Sequence, residues 1–382
     1  MIRVVVLGST GSIGRQTLEV IAALPERFSV AGIAAAHGST EFLRQAAFWP
    51  AARTWTAAGR AAGLPAARWV AGGLEELSSA VEADLVVVAT SGMAALRAVL
   101  AALAAGRRVA LANKETLVSG GHLVADLLDR LGGDRLDLLR PIDSEHSAIW
   151  QCLVGEPRDA IARLILTASG GPFRDRTQAD LERVTLAEAL AHPTWQMGPK
   201  VTIDSATMVN KAFEAIEARW LYRLPYDRIQ AVIHPRSIVH SLVEFVDGAY
   251  KAQLGLPDMR LPIQYALTYP DRLPSPARRS APTEWGDLQF RPLIPGAFPA
   301  YDVVRAAAAA GGNRGAILHA ADEVAVEAFS AGMIPFPRIA TTIDEAVRRW
   351  GDDLLPDLDG IEALDAKVRG SLAVELGLGG TA

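Results

Sequence analysis

The chain has almost no cysteine: Cys152 stands alone among 382 residues. One thiol excludes an internal disulfide and any metal site made from several cysteines. Its neighbours Ile149, Trp150, Leu153 and Val154 are apolar and no base flanks it. The reading is therefore a buried, inert thiol and not a nucleophile. A basic block is also lacking. The net charge is -5 and the pI about 5.9, which leaves nucleic acid and anionic membrane without support as partners. No apolar run reaches membrane-spanning length. The first residues enter a strand at once, so no signal or transit peptide is expected, and a soluble cytoplasmic protein is the expectation. The 22 prolines and 33 glycines are spread along the chain and not massed in a disordered tail.

What is present is apolar substance in quantity. Hydrophobic residues make up 50% of a length too great for one core, so two or three domains are expected. Ile2–Leu7 reads as a continuous apolar strand of a buried parallel sheet. A helix follows over 15–24, then strands over 29–35, 84–89 and 107–112, with an alanine-rich helix over 93–105. Alternating strand and helix predicts an α/β fold, a doubly wound Rossmann-like sheet over about the first 140 residues. The middle of the chain reads differently. Strands are predicted over 162–168, 228–233, 238–246 and 249–256, with Asp247-Gly248 as a hairpin turn. That pattern predicts an α+β domain with an antiparallel sheet. Residues 271–300 are rich in proline and charge, as in a linker, and the alanine-rich stretch from Tyr301 predicts a C-terminal helical bundle. The expected boundaries are 1–143, 144–270, 271–300 and 301–382.

Three segments carry chemistry. Gly8-x-x-Gly11-x-x-Gly14 follows a strand and opens a helix, where backbone N–H groups can hold a pyrophosphate. After the second strand an NAD site would place an acid for the ribose 2′-OH. Here Ala35-Ala36-His37-Gly38-Ser39 carries none, so NADP is favoured, with His37 as a candidate contact. Asp143 and Glu145 are read as two residues apart at a strand end, facing one way. With Glu214 they offer three oxygen ligands, which suit Mg²⁺ or Mn²⁺. The plainer reading of Asp143-Ser144-Glu145 is a cap on the helix running through Trp150. In Ile203-Asp204-Ser205-Ala206-Thr207-Met208-Val209-Asn210-Lys211-Ala212-Phe213-Glu214, residues Asn210 and Glu214 share a helix face and Lys211 lies beside them. Such a cluster can hold an anion at one end and a metal at the other. Ser169-Gly170-Gly171 after a strand is an ordinary turn or an anion nest. The loop from His192 to Gly198, with Trp195 and Met197, is a lid or a core anchor. His234, His240 and His319 are read first as structural. Together the segments suggest a metal-dependent reductase acting on a phosphorylated substrate.

In this order the motifs resemble the 1-deoxy-D-xylulose 5-phosphate reductoisomerase family. The resemblance rests on Gly8-Ser9-Thr10-Gly11-Ser12-Ile13-Gly14, Ala112-Asn113-Lys114-Glu115, Pro141-Ile142-Asp143-Ser144-Glu145-His146, Ser169-Gly170-Gly171-Pro172 and His192-Pro193-x-Trp195-x-Met197-Gly198. The stretch 203–214, His234-Pro235-Arg236-Ser237-Ile238-Val239-His240-Ser241 and Pro257-Asp258-Met259-Arg260 complete it. The set spans nearly the whole chain. It implies an NADPH-binding domain, an α+β catalytic domain, a linker and a C-terminal helical domain, as a homodimer. It implies metal ligation by Asp143, Glu145 and Glu214. It implies a phosphate cradle of Ser169, Ser205, Asn210 and Lys211, with Ser144, Lys114 and His192 as further substrate contacts. NADPH contacts are implied at Thr10, Gly11, Ser12, Ile13, Asn113, Glu115 and Gly198. Glu145 and Glu214 would meet the substrate through the metal, and Glu214, Lys211 and His192 are the implied catalytic groups. The chain departs from the family pattern at Ala36-His37-Gly38, where Gly, a basic residue and Asn or Ser usually stand. It departs again at Ala212-Phe213, where Gly-Leu is usual. Two rivals have other requirements. An aspartate-semialdehyde-type dehydrogenase shares the G-x-T-G opening but needs a thiolate. A non-catalytic NADP-binding sensor has no use for three carboxylates.

Overall fold

The first strand is buried along most of its length because neighbours cover both of its faces. Val4, Val5, Val6 and Leu7 are fully buried in β1 (Ile2–Leu7). The structure is a computed structural model and describes residues 1–195 and 197–378. β1 lies in the middle of a parallel sheet with β2 (Phe28–Ala35), β3 (Arg53–Thr56), β4 (Leu85–Val88), β5 (Arg108–Leu111) and β6 (Leu139–Pro141). The order is β3-β2-β1-β4-β5-β6, and every pair is parallel. The chain therefore winds outward from β1 in one direction, returns, and winds outward in the other. Between β1 and β4 lies the switch point where such sheets bind ligands at their strand ends. Helices α1 (Ser12–Ala23), α2 (Glu115–Leu131) and α3 (Ser144–Leu153) follow β1, β5 and β6 respectively.

Backbone contacts divide the chain into two units. The first comprises Met1–Thr116, Leu123–Trp150 and Asp258–Arg279. The second comprises Leu117–His122, Gln151–Pro257 and the chain from Ser280 on. Its sheet holds β7 (Ile161–Ala168), β8 (Ile229–Ile233), β9 (Val239–Phe245), β10 (Tyr250–Leu254) and the two-residue β11 (Arg291–Pro292), in the order β10-β9-β7-β8-β11. The sheet is mixed and not antiparallel throughout: β7 and β8 run parallel, while the other pairs are antiparallel. The parallel pair follows from a long crossover that carries the chain back to the end of the sheet at which β7 began. At the hairpin, Gly248 takes φ +85° and its N–H donates to the Phe245 carbonyl at 2.9 Å. β11 brings residues within 271–300 onto the sheet, and Pro292, which has no N–H, sits on an edge strand.

The crossover carries α4 (Pro199–Thr207) and α5 (Val209–Tyr222). After β11 come α6 (Pro299–Ala310), α7 (Arg314–Ser330), α8 (Arg338–Trp350) and α9 (Leu358–Glu375). Ile203, Phe213 and Ile216 share one buried cluster with Val304, Leu318, Phe329 and Ile343. The C-terminal helices thus form a core with the helices that bear the candidate site residues.

Candidate active site

The glycine loop is shaped by close approach. Gly8 takes φ +83°, and a Cβ there would stand 2.4 Å from the Ala89 carbonyl oxygen at the end of β4. A Cβ at Gly14 would stand 2.2 Å from the Gly8 carbonyl oxygen. Only glycine allows β1, the turn and α1 to pack this tightly. Gly11 is the N-cap of α1 and no side chain caps the first turn, so backbone N–H groups face the loop. This is the donor arrangement a dinucleotide pyrophosphate requires. Thr10 lies on the same turn, and Ser12 and Ile13 open α1.

Asn113 locks the turn after β5. Its Nδ2 donates to the Thr90 and Gly92 carbonyls at 2.9 and 3.0 Å. Its Oδ1 accepts from Thr116 N and Oγ1 at 2.9 and 2.6 Å. The amide thus spends its donors and acceptor on tying the two turns together. Lys114 precedes α2, and its ammonium reaches Asp143 at 2.8 Å with both side chains largely buried. Glu115 opens α2 and is buried. Asp143 and Glu145 do not sit on a strand. β6 ends at Pro141 and α3 begins at Ser144, so the alternation expected from the sequence does not apply. Asp143 accepts Ser147 N–H through its carbonyl at 2.8 Å, while Glu145 occupies the first turn of α3, where the helix dipole favours a carboxylate. Ser144 Oγ donates to Glu145 at 2.5 Å.

His192 gathers two hydroxyls. Its Nε2 lies 3.1 Å from Ser169 Oγ and 3.0 Å from Ser205 Oγ. Its Nδ1 accepts the backbone N–H groups of Thr194 and Trp195 at 3.2 and 2.9 Å. A nitrogen accepting two N–H donors carries no proton, so the ring proton sits on Nε2 and points toward the serines. Burial, and secondarily the charge of Arg174, push the imidazole down to about 4, so it is neutral near pH 7. Gly171, at φ +65°, lets the turn after β7 approach α4: a Cβ there would stand 2.6 Å from the Ser205 carbonyl oxygen.

The stretch 203–214 is two helices and not one. α4 ends at Thr207, Met208 takes the left-handed conformation at φ +63°, and α5 starts at Val209. The break sets Ser205 on one helix and Asn210, Lys211 and Glu214 on the next. Asn210 Nδ2 donates to Glu214 Oε1 at 2.7 Å, and Lys211 pairs with the other carboxylate oxygen. Lys211 and Glu214 are almost fully buried, and each would be costly there without the other.

Three family models match successive stretches of the chain. 1-Deoxy-D-xylulose 5-phosphate reductoisomerase matches over residues 4–121, its C-terminal domain over 139–222 and the DXP reductoisomerase C-terminal domain over 254–371. The chain belongs to this reductoisomerase family. It is 49% identical over 375 residues to the 1-deoxy-D-xylulose 5-phosphate reductoisomerase of Thermomicrobium roseum, covering 97% of this chain and 96% of the relative. It is 47% identical over 379 residues to that of Pelotomaculum thermopropionicum, covering 97% of both. A crystal structure of DOX-P reductoisomerase in complex with NADPH, fosmidomycin and magnesium superposes with a TM-score of 0.88 at 36% identity, covering 99% of each chain.

The remaining candidates lie in varied local settings. His37 is exposed after β2, and Ser39 Oγ caps the helix Thr40–Phe48 by accepting Phe42 N–H at 3.2 Å. Gly198 caps α4, with open space where a Cβ would be. Trp195 is half-buried, 6.0 Å from the His240 ring, and Gln196 lies outside the described residues. His234 is structural as read: its Nδ1 donates to the Gln289 carbonyl at 2.7 Å, and Nε2 accepts Ile238 and Val239 N–H. His319 is buried, but its setting is charged and not apolar, with Asp365 at 3.3 Å and Glu323 at 3.5 Å. Cys152 is buried and its thiol is pushed up to about 11 by burial. Sequence reasoning passed over Lys200 and Asp322, which meet at 2.5 Å. The available signal was the i,i+4 pair Lys200 and Asp204 on α4.

Proposed function

We propose that this chain converts 1-deoxy-D-xylulose 5-phosphate to 2-C-methyl-D-erythritol 4-phosphate, a step of non-mevalonate isoprenoid precursor biosynthesis, with NADPH and Mg²⁺ or Mn²⁺. The reading is carried by one observation: family likeness over nearly the whole chain. The glycine turn fits the pyrophosphate of NADPH, with Thr10 to Ile13, His37, Asn113, Glu115 and Gly198 as the proposed contacts. Asn113 would act through its backbone and by holding the turn, since its amide is engaged internally. The all-oxygen set Asp143, Glu145 and Glu214 fits a hard divalent cation. When bound, such a cation supplies Lewis-acid polarisation of the substrate's oxygens. Ser169, Ser205, Asn210 and Lys211 are the proposed phosphate cradle, and Lys114, Ser144 and His192 are further substrate contacts.

The chain's own part is to bind, orient and shield. Neutral His192 points an N–H toward the two serines, which orders their hydroxyls before the phosphate arrives. Lys211 offers the dianion a charge-assisted donor. Holding the phosphate fixes the remote end, so its binding energy orients the reacting end. We also propose the functional division 1–143 for NADPH, 144–270 for catalysis, 271–300 as connector and 301–382 as helical domain, in a cytoplasmic homodimer. The semialdehyde-dehydrogenase rival loses its nucleophile, because a buried thiol near 11 stays protonated at neutral pH. The test is NADPH oxidation. It should require 1-deoxy-D-xylulose 5-phosphate and a divalent cation together. Oxidation with the cation chelated, or none with both supplied, would overturn the reading.

A further inference from the structure

We propose that Lys200 is a positioning residue for the phosphate end of the site, acting through α4; the inference rests on the reductoisomerase reading for what the site binds. Lys200 is the second residue of α4. Its ammonium lies 2.6 Å from Asp204 on the same helix and 2.5 Å from Asp322 on α7. Both carboxylates are buried, at 1% and 0% exposure. The ammonium also stands 5.3 Å from the centre of the Phe213 ring on α5, next to Glu214. One cation therefore gathers three helices. α7 is tied in turn to α9. Glu323, the neighbour of Asp322, pairs with Arg369 of α9 at 2.6 Å, and Arg369 pairs with Asp365 at 2.6 Å.

The location gives this network its consequence. Ser205 follows Asp204 directly and meets His192 at 3.0 Å. Gly198, at the head of α4, closes the loop that begins at His192. Lys200 thus holds both the base of that loop and the helix bearing Ser205 against the C-terminal helices. Without the ammonium, α4 loses the cation that ties Asp204 to Asp322, and its hold on α7 loosens. Ser205 and His192 then lose their register with Ser169, and phosphate loses preorganised donors.

The experiment compares Lys200→Met, Asp322→Asn and the triple variant Lys200→Met/Asp204→Asn/Asp322→Asn with the parent enzyme. Lys200→Met should raise the KM for 1-deoxy-D-xylulose 5-phosphate and the Kd for inorganic phosphate by roughly 10-fold, the loss of about one well-placed hydrogen bond, with kcat changed far less. The triple variant also neutralises the two buried carboxyl groups. It should regain melting temperature while KM and phosphate Kd stay high, a split that a merely structural lysine would not produce. Should Lys200→Met fail to fold, the triple variant carries the same reading. Asp322→Asn keeps the lysine and should shift both constants in the same direction by a smaller factor. Unchanged constants in the folded variants, or constants that recover together with melting temperature, would overturn the proposal. Calorimetric titration with inorganic phosphate needs no turnover. Weaker phosphate binding in the variants alongside a parent enzyme that never oxidises NADPH would sink the reductoisomerase reading and leave this one standing.

Discussion

His192 shows how one side chain can be fixed by its acceptors. Two backbone N–H groups point at Nδ1, so protonating that atom would set three donors against one another. Burial works in the same direction and holds the ring near 4, against about 6.5 in an unfolded chain. Between these values the unfolded chain binds a proton that the folded chain refuses. Folding stability therefore falls as pH drops from about 6.5 toward 4, and this contribution levels off below. His192→Gln should flatten that limb of a melting-temperature profile. A profile identical to the parent's between pH 4 and 6.5 would show that His192 is not the group responsible. Lys211 makes a second prediction at this scale. Lys211→Ala should raise the substrate KM roughly 10- to 100-fold, since a charge-assisted hydrogen bond is worth about 1.5–3 kcal/mol. NADPH affinity should stay nearly constant in a fluorescence titration. A fall in NADPH affinity would move Lys211 to the cofactor site.

At the scale of elements, the lid reading of the loop from His192 to Gly198 is testable at Trp195. Its head is tied by His192 and its foot by the Gly198 cap, while Trp195 between them is only half-buried. A fully buried Trp truncated to Ala costs about 3–5 kcal/mol, and half-burial should cost less. Trp195→Ala is therefore expected to lower turnover and substrate affinity while melting temperature falls little, as for a lid that excludes water. A large melting drop with normal kinetics would make Trp195 a core anchor instead. Elements with a strong local pattern were legible beforehand. β1 is found with the ends its apolar run indicates, and the hairpin turns at Asp247-Gly248. The parallel pairing of β7 with β8 was not legible, because register between distant strands is set by the crossover and not by either strand's residues. The helix break at Met208 was hidden for a related reason: a left-handed methionine carries no glycine to announce it. At Asp143-Ser144-Glu145 the strand-end reading failed because β6 ends at Pro141, while the plainer reading of a helix start held, with α3 opening at Ser144.

Over the whole molecule, fold and metal are expected to be separable. The candidate metal carboxylates already have partners in the chain itself: Asp143 with Lys114, Glu145 with Ser144, and Glu214 with Lys211 and Asn210. Each ammonium offsets the charge of the carboxylate it meets. A parallel sheet buried along β1 and an extended helical core supply stability that involves no ion. This differs from small domains whose metal binding is their folding free energy. EDTA should thus abolish NADPH oxidation, and Mn²⁺ or Mg²⁺ should restore it, while the melting temperature of the stripped protein stays within a few degrees of the loaded one. Asp143→Asn and Glu214→Gln should each cut activity by at least ~10-fold, the lower end of what residues around a bound metal contribute. Full activity of either variant in metal-free buffer would refute the ligand assignment. A collapse in melting temperature on chelation, with activity lost in parallel, would instead make the ion part of the fold, and the lysine pairs would then have to be too weak to stand in for it.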